Sequence, residues 1–146
     1  MPESNRNVSR RATRALVPLL LGVGLAAGSL TASAHHAFAA EFDAEKPLDL
    51  KGTVTKVKWV NPHSWLYFDV KDKTGAVTNW GVEFGTPNAL ARAGLKKTDL
   101  PIGTEVHIKG YLSKNGGAFG YSVTLTLPDG RTIQTGGAQD VPTRGG

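Results

Sequence analysis

Residues 50–71 read LKGTVTKVKWVNPHSWLYFDVK, and the alternation of apolar and polar side chains along them decides the class of fold. Leu50 and Val54 are apolar in one phase and Val57 and Trp59 in the other, so a strand over about residues 50–60 needs a bulge or strong coil where the phase slips. Asn61-Pro62-His63 breaks that strand, because proline lacks an amide donor and restricts the residue before it. A second strand, residues 64–71, sends Leu66, Phe68 and Val70 to one face and Trp65, Tyr67 and Asp69 to the other.

Working outward, Asp72-Lys73-Thr74-Gly75 is a turn into a third strand over residues 77–84, with Trp80, Val82 and Phe84 in phase. Thr86-Pro87 supplies an N-cap hydroxyl and a proline at the first helical position, so residues 88–93 form a short helix stopped by Gly94. A fourth strand over residues 104–112 buries Val106, Ile108 and Leu112 and turns Glu105, His107 and Lys109 away. A fifth, residues 121–127, alternates Tyr121, Val123, Leu125 and Leu127 against Ser122, Thr124 and Thr126, and residues 131–134 read as a short return strand. Three strands, a helix and two strands is the order of an OB-fold, so the expectation is an all-β chain forming a small five-stranded OB-like barrel with one short helix between strands three and four. A small β-sandwich or a lipocalin-like half barrel is the competing arrangement.

The chain has 146 residues, one domain with short appendages. Residues 1–14 are polar and basic, the run ALVPLLLGVGLAA over residues 15–27 has the length of a signal h-region, and Ala32-Ser33-Ala34 offers small side chains to a signal peptidase. The run is short for a bilayer span, which takes about 20 apolar residues. Residues 1–34 are therefore expected to be a signal peptide, residues 35–49 an N-terminal segment, residues 50–135 the barrel and residues 136–146 a loose tail. The expected location is the periplasm or the exterior, with no stable membrane span after cleavage. Of the 17 Lys and Arg and 12 acids, four bases and one acid precede residue 35, leaving the body at +2, too near neutral to suggest a nucleic-acid partner. With no Cys, disulfides, thiol nucleophiles and thiolate metal sites are excluded together.

The only methionine is Met1, so a transition-metal site in the mature chain must use His nitrogen and carboxylate oxygen. Cleavage before His35 makes its α-amine and imidazole a ready chelate, with His36 adjacent. Cleavage one residue earlier leaves Ala34-His35-His36, a histidine third from a free amine, which wraps Cu(II) or Ni(II) in a square plane. Both registers favour copper, so His35, His36 and His63 are the candidate metal ligands. A His-His pair that is merely part of an exposed cleavage junction is the competing reading. His63 sits at the tip between the first two strands, where an OB-fold presents binding groups. Asn61, Trp65 and Tyr67 are the candidate ligand-binding residues, the two aromatics lying opposite the core phase unless Phe38 and Phe42 cover them. Neither a nucleophile elbow nor a phosphate loop is present.

The segments His35-His36-Ala37-Phe38-Ala39-Ala40-Glu41-Phe42-Asp43, Gly52-Thr53-Val54, Asn61-Pro62-His63-Ser64-Trp65, Gly85-Thr86-Pro87-Asn88 and Leu127-Pro128-Asp129-Gly130-Arg131 resemble domain of unknown function 6152, a family of small exported proteobacterial proteins. The resemblance covers about residues 34–133 and departs from the pattern at Ala37, where serine is expected. It implies a periplasmic single domain with no assigned activity, and no catalytic residue is carried over. The sequence thus points to a periplasmic non-catalytic module that binds a small ligand, with copper held through the N-terminal histidines. Two other readings stay open: a copper-dependent oxidoreductase or copper carrier, and an envelope protein that docks partners on the aromatic face.

Overall fold

The apolar phase slip of the first strand is met by a bulge. In the computed structural model, which describes residues 38–136, β1 (Phe42–Lys58) pairs antiparallel with β2 (Trp65–Lys71), and the register shifts between Val54 and Lys56. The extra residue keeps Val54 in the core, lets Val57 and Trp59 pack against it, and turns Lys56 and Lys58 outward. The strand begins eight residues before Leu50. Phe42 and Asp43 pair with Ser113 and Leu112, and the register shifts between Asp43 and Pro47. That irregularity is what admits a proline and a charged run to a strand, and it hides the alternation from a reading of sequence.

β2 pairs with β3 (Val77–Glu83), and β1 pairs on its other edge with β4 (Glu105–Ser113), which pairs with β5 (Phe119–Thr126). β3 then meets β5 in parallel, Gly81, Val82 and Glu83 beside Phe119, Gly120 and Tyr121. The sheet closes in the order β1-β2-β3-β5-β4-β1, the OB connectivity. A sixth strand, β6 (Thr132–Gln134), pairs with residues 124–126 of β5, the stretch beyond the reach of β3. Leu66, Phe68, Val82, Phe84, Ile108 and Leu125 are wholly buried in the core. The helix Pro87–Arg92 lies between β3 and β4; Thr86 Oγ1 accepts from the Ala89 amide at 3.2 Å, and Leu90 joins the core.

The alternation expected along the fifth strand does not persist. The β4–β5 register shifts between Lys109 and Gly110, opposite Val123. Leu125 and Leu127 therefore face the core, whereas Tyr121 belongs to a separate aromatic cluster on the outside of the barrel.

Arg131 ties two turns together, with Nη2 3.0 Å from Asp99 and Nε 2.7 Å from Asp129. Its hydrogen bonds hold both carboxyls below the ordinary value of 3.8. A depressed folded-state pKa gives stability that is present above the unfolded value and lost as pH falls through the folded one. The melting temperature should accordingly fall below about pH 4, and Arg131→Gln should make that acid limb shallower. Arg131 and Asp129 are exposed and Asp99 is half-buried, so solvent screening keeps the effect small. Thermal melts between pH 2 and 7 check it.

Residues 1–37 and 137–146 lie outside the described residues, and with them the expected signal peptide, His35, His36 and most of the expected tail.

Candidate functional site

The face of β2 opposite the core carries Trp65, Tyr67 and Asp69, whose partners in register on β3 are Glu83, Gly81 and Asn79. On the β1 side the neighbours are Lys58, Lys56 and Thr53. Parallel pairing brings Phe119 and Tyr121 beside Gly81 and Glu83, and Tyr111 lies opposite Tyr121. The outside of the barrel thus collects aromatic side chains from three strands, and Phe38 ahead of β1 and Phe42 at its start add two more.

Phe38 is 6% exposed, edge-on to Tyr121 at 5.1 Å between centroids and to Tyr111 at 5.8 Å. Phe42 packs at 5.3 Å from Tyr121 and 5.9 Å from Phe119. Phe119 in turn stacks on Trp65 at 5.2 Å with 27° between planes. A clasp holds this segment down: the Lys114 amide donates to the Glu41 carbonyl at 2.8 Å, and Lys114 Nζ donates to the Ala39 carbonyl. Phe38 and Phe42 therefore cover the Tyr121 end of the face, as their need for a packing partner suggests, and leave Trp65 and Tyr67 half-buried. Tyr67 and Phe119 lie over Gly81, where an added Cβ would sit 3.3 Å and 3.5 Å from the two rings. Lys56 and Lys58 stand 5.9 Å and 5.7 Å from the Tyr67 centroid.

At the Glu83 end, Asn61 and Pro62 form an exposed bend with a cis peptide bond between them, and His63 follows. His63 Nδ1 contacts Glu83 Oε1. Glu83 is 5% exposed while the His63 side chain is 47% exposed, so a buried carboxylate orients an imidazole that opens to solvent. With Nδ1–H donating to the carboxylate, Nε2 keeps its lone pair for a proton or a metal. Ser64 completes the residue types of a hydrolytic triad but not the geometry. It shares the phase of Leu66 and Phe68, is wholly buried, and its Oγ has no hydrogen-bond partner.

The structure brings together His63, Trp65 and Tyr67 from the expected residues, with Asn61 in the adjoining bend. Sequence reasoning missed Glu83, Phe119, Tyr111 and Tyr121. Glu83 was visible as the one charged residue of its strand, but its partner follows only from the pairing of β2 with β3. His107 belongs elsewhere: its Nε2 lies 2.5 Å from Asp49 Oδ1, beside a depression of about 560 Å³ lined by Lys51, Asp69, Lys71 and Glu105 among others. The hydrogen bond from His107 is the main cause holding the Asp49 carboxyl below its usual range. No cluster of three or more metal-ligating side chains occurs among the described residues.

The fold and this face define a small OB-like barrel whose outer aromatic surface is flanked by a carboxylate-oriented histidine. Residues 23–122 match the model of a family of unknown function, DUF6152, and the chain belongs to that family. No curated protein matches the chain.

Proposed function

We propose that this chain is an exported, non-catalytic periplasmic module that binds copper with the N-terminal histidines, His35 and His36, and with His63. One observation carries the reading: Phe38 packs on Tyr121, Tyr121 lies in register beside Glu83, and Glu83 bonds His63. Neighbouring strands are about 4.8 Å apart, and a chain advances at most about 3.3–3.6 Å per residue. Two residues before Phe38, the Cα of His36 is then within about 7 Å of the Cα of Phe38, and that of His35 within about 11 Å. The proposal requires the imidazoles of His35 and His36 to meet His63 at the end of the barrel where it opens to solvent.

The donor chemistry agrees. A chain without Cys and with methionine only at position 1 offers imidazole, amine and carboxylate, a set suited to Cu(II). Glu83 would act as the outer carboxylate that fixes the tautomer and the ring orientation of His63. The exposure of His63 and the burial of Ser64 on the other phase favour holding an ion over hydrolysing a substrate.

The test is a copper titration of protein purified from the periplasm, its amino terminus read by intact mass, against the same protein acetylated at that terminus. The free amine should bind copper at least tenfold more tightly, since acetylation removes one ligand. Equally weak binding by both would contradict the proposal.

A further inference from the structure

We infer that the free edge of β3 is an interface at which two copies of this chain pair, strand against strand, about a two-fold axis through Thr78. β3 is paired with β2 along its whole length, but with β5 only over Gly81–Glu83. Beyond Gly81 the outer edge, residues 77–80, has no strand beside it among the described residues. Two hydrogen bonds show which backbone groups lie open there. The Asp72 amide donates to the Ala76 carbonyl at 2.9 Å, so Ala76 faces β2, and the Gly81 amide donates to the Ala118 carbonyl at 3.0 Å, so Gly81 faces the other way. Backbone groups alternate in direction along an antiparallel strand. Val77 and Asn79 therefore point their N–H and C=O groups away from β2, and both residues are exposed.

Edges of this kind are ordinarily blunted by lysine, proline or a bulge. The open stretch, Val77-Thr78-Asn79-Trp80, carries neither charge nor proline, and the β2–β3 register runs unbroken from Lys71 opposite Val77 to Trp65 opposite Glu83. Val77 is 55% exposed, an apolar side chain that the barrel leaves to water.

A second copy fits this edge in one register. With the axis through Thr78, Val77 lies opposite the partner's Asn79, and Asn79 opposite the partner's Val77. Each pair exchanges two backbone hydrogen bonds, which uses every open group of residues 77 and 79 in both copies. On the outer face a row across the four strands then reads Lys71, Val77, the partner's Asn79 and the partner's Asp69, because Lys71 pairs with Val77 and Asp69 with Asn79 within each barrel. Opposite charges end that row. On the other face the half-buried Trp80 meets the partner's Ala76. Next in register is Gly81 against the partner's Gly75, where β5 takes over the edge of one copy and the turn at residues 72–76 carries the other away.

An extended peptide would have to order each residue it pairs, at a cost comparable to what a hydrogen bond returns, whereas β3 is already held straight by β2. The interface is small, so the dimer forms reversibly and at high concentration. It needs none of the proposed copper ligands: His63 stands beside Glu83 at the opposite end of β3, and its ring stays open in both copies.

The test is sedimentation velocity of protein purified from the periplasm and stripped of metal, from about 10 μM to about 1 mM. The parent should pass from monomer to dimer over that range. Thr78→Lys and Thr78→Glu, changes at an exposed position, should each weaken the dimer at least tenfold by setting like charges face to face, and an equimolar mixture of the two should regain the parent's dimerisation. Circular dichroism checks that each variant is folded. Val77→Pro, which removes an outward amide at the first residue of the strand, should give the same loss. A parent that stays monomeric at the highest concentration, a lysine variant that dimerises like the parent, or a mixture that pairs no better than its components overturns the inference. Hydrogen exchange in which the Val77 and Asn79 amides are already protected in the monomer overturns it as well, because another segment would then hold the edge.

Discussion

Gly110→Ala should lower the stability of the domain by about 3 kcal/mol, in the range of severe overpacking, and should lower the melting temperature by about 12–20 °C. A Cβ built at Gly110 falls 1.8 Å from the Tyr121 carbonyl oxygen, and the obstacle is backbone, which no rotamer change can move aside. Gly110 stands where the β4–β5 register shifts, and that shift turns Tyr121 from the core to the outer cluster. The variant therefore attacks the fold and the seat of Phe38 together. Circular dichroism melts at neutral pH measure it. A drop of only a few degrees would show that the two strands approach less closely than this register requires.

Glu83→Gln should reduce copper affinity 10- to 100-fold, the usual cost of losing the carboxylate behind a ligating histidine. The amide keeps the shape of the side chain and its capacity to accept a hydrogen bond, but not its charge. His63→Ala should cost at least as much, because it removes the ligand itself. Asp49→Asn is the matched control: it alters the carboxylate that faces His107 on another sector and should leave copper binding unchanged. Competition titrations against a chelator of known affinity read all three. Equal affinities in Glu83→Gln and in the parent would remove the carboxylate from the account.

Much of the barrel is legible in residues 50–71 because its signals are local. The slip from Val54 to Val57 requires a bulge in any partner's company, and Thr86-Pro87 caps a helix with atoms it carries itself. The family is equally legible, and the match to its model over residues 23–122 bears it out, while Leu127-Pro128-Asp129-Gly130-Arg131 lies beyond the matched residues. What escapes is set by contacts between distant segments. The early start of β1 depends on Ser113 and Leu112 accepting Phe42 and Asp43 as partners. The outward turn of Tyr121 depends on a register shift that the alternation of residues 121–127 conceals. Glu83 looks like a lone acid until β3 lies beside β2 and the bend at Asn61 returns His63 to it.

The central proposal is that a chain end freed by signal cleavage and His63 share one copper ion. Nuclear magnetic resonance of uniformly nitrogen-15-labelled protein, with Cu(II) added below one equivalent, observes it most directly through the imidazole signals. Paramagnetic broadening should erase the His63 ring resonances and leave those of His107, bonded to Asp49, sharp. A spectrum in which His63 stays sharp, or in which His107 broadens alongside it, would contradict the shared site.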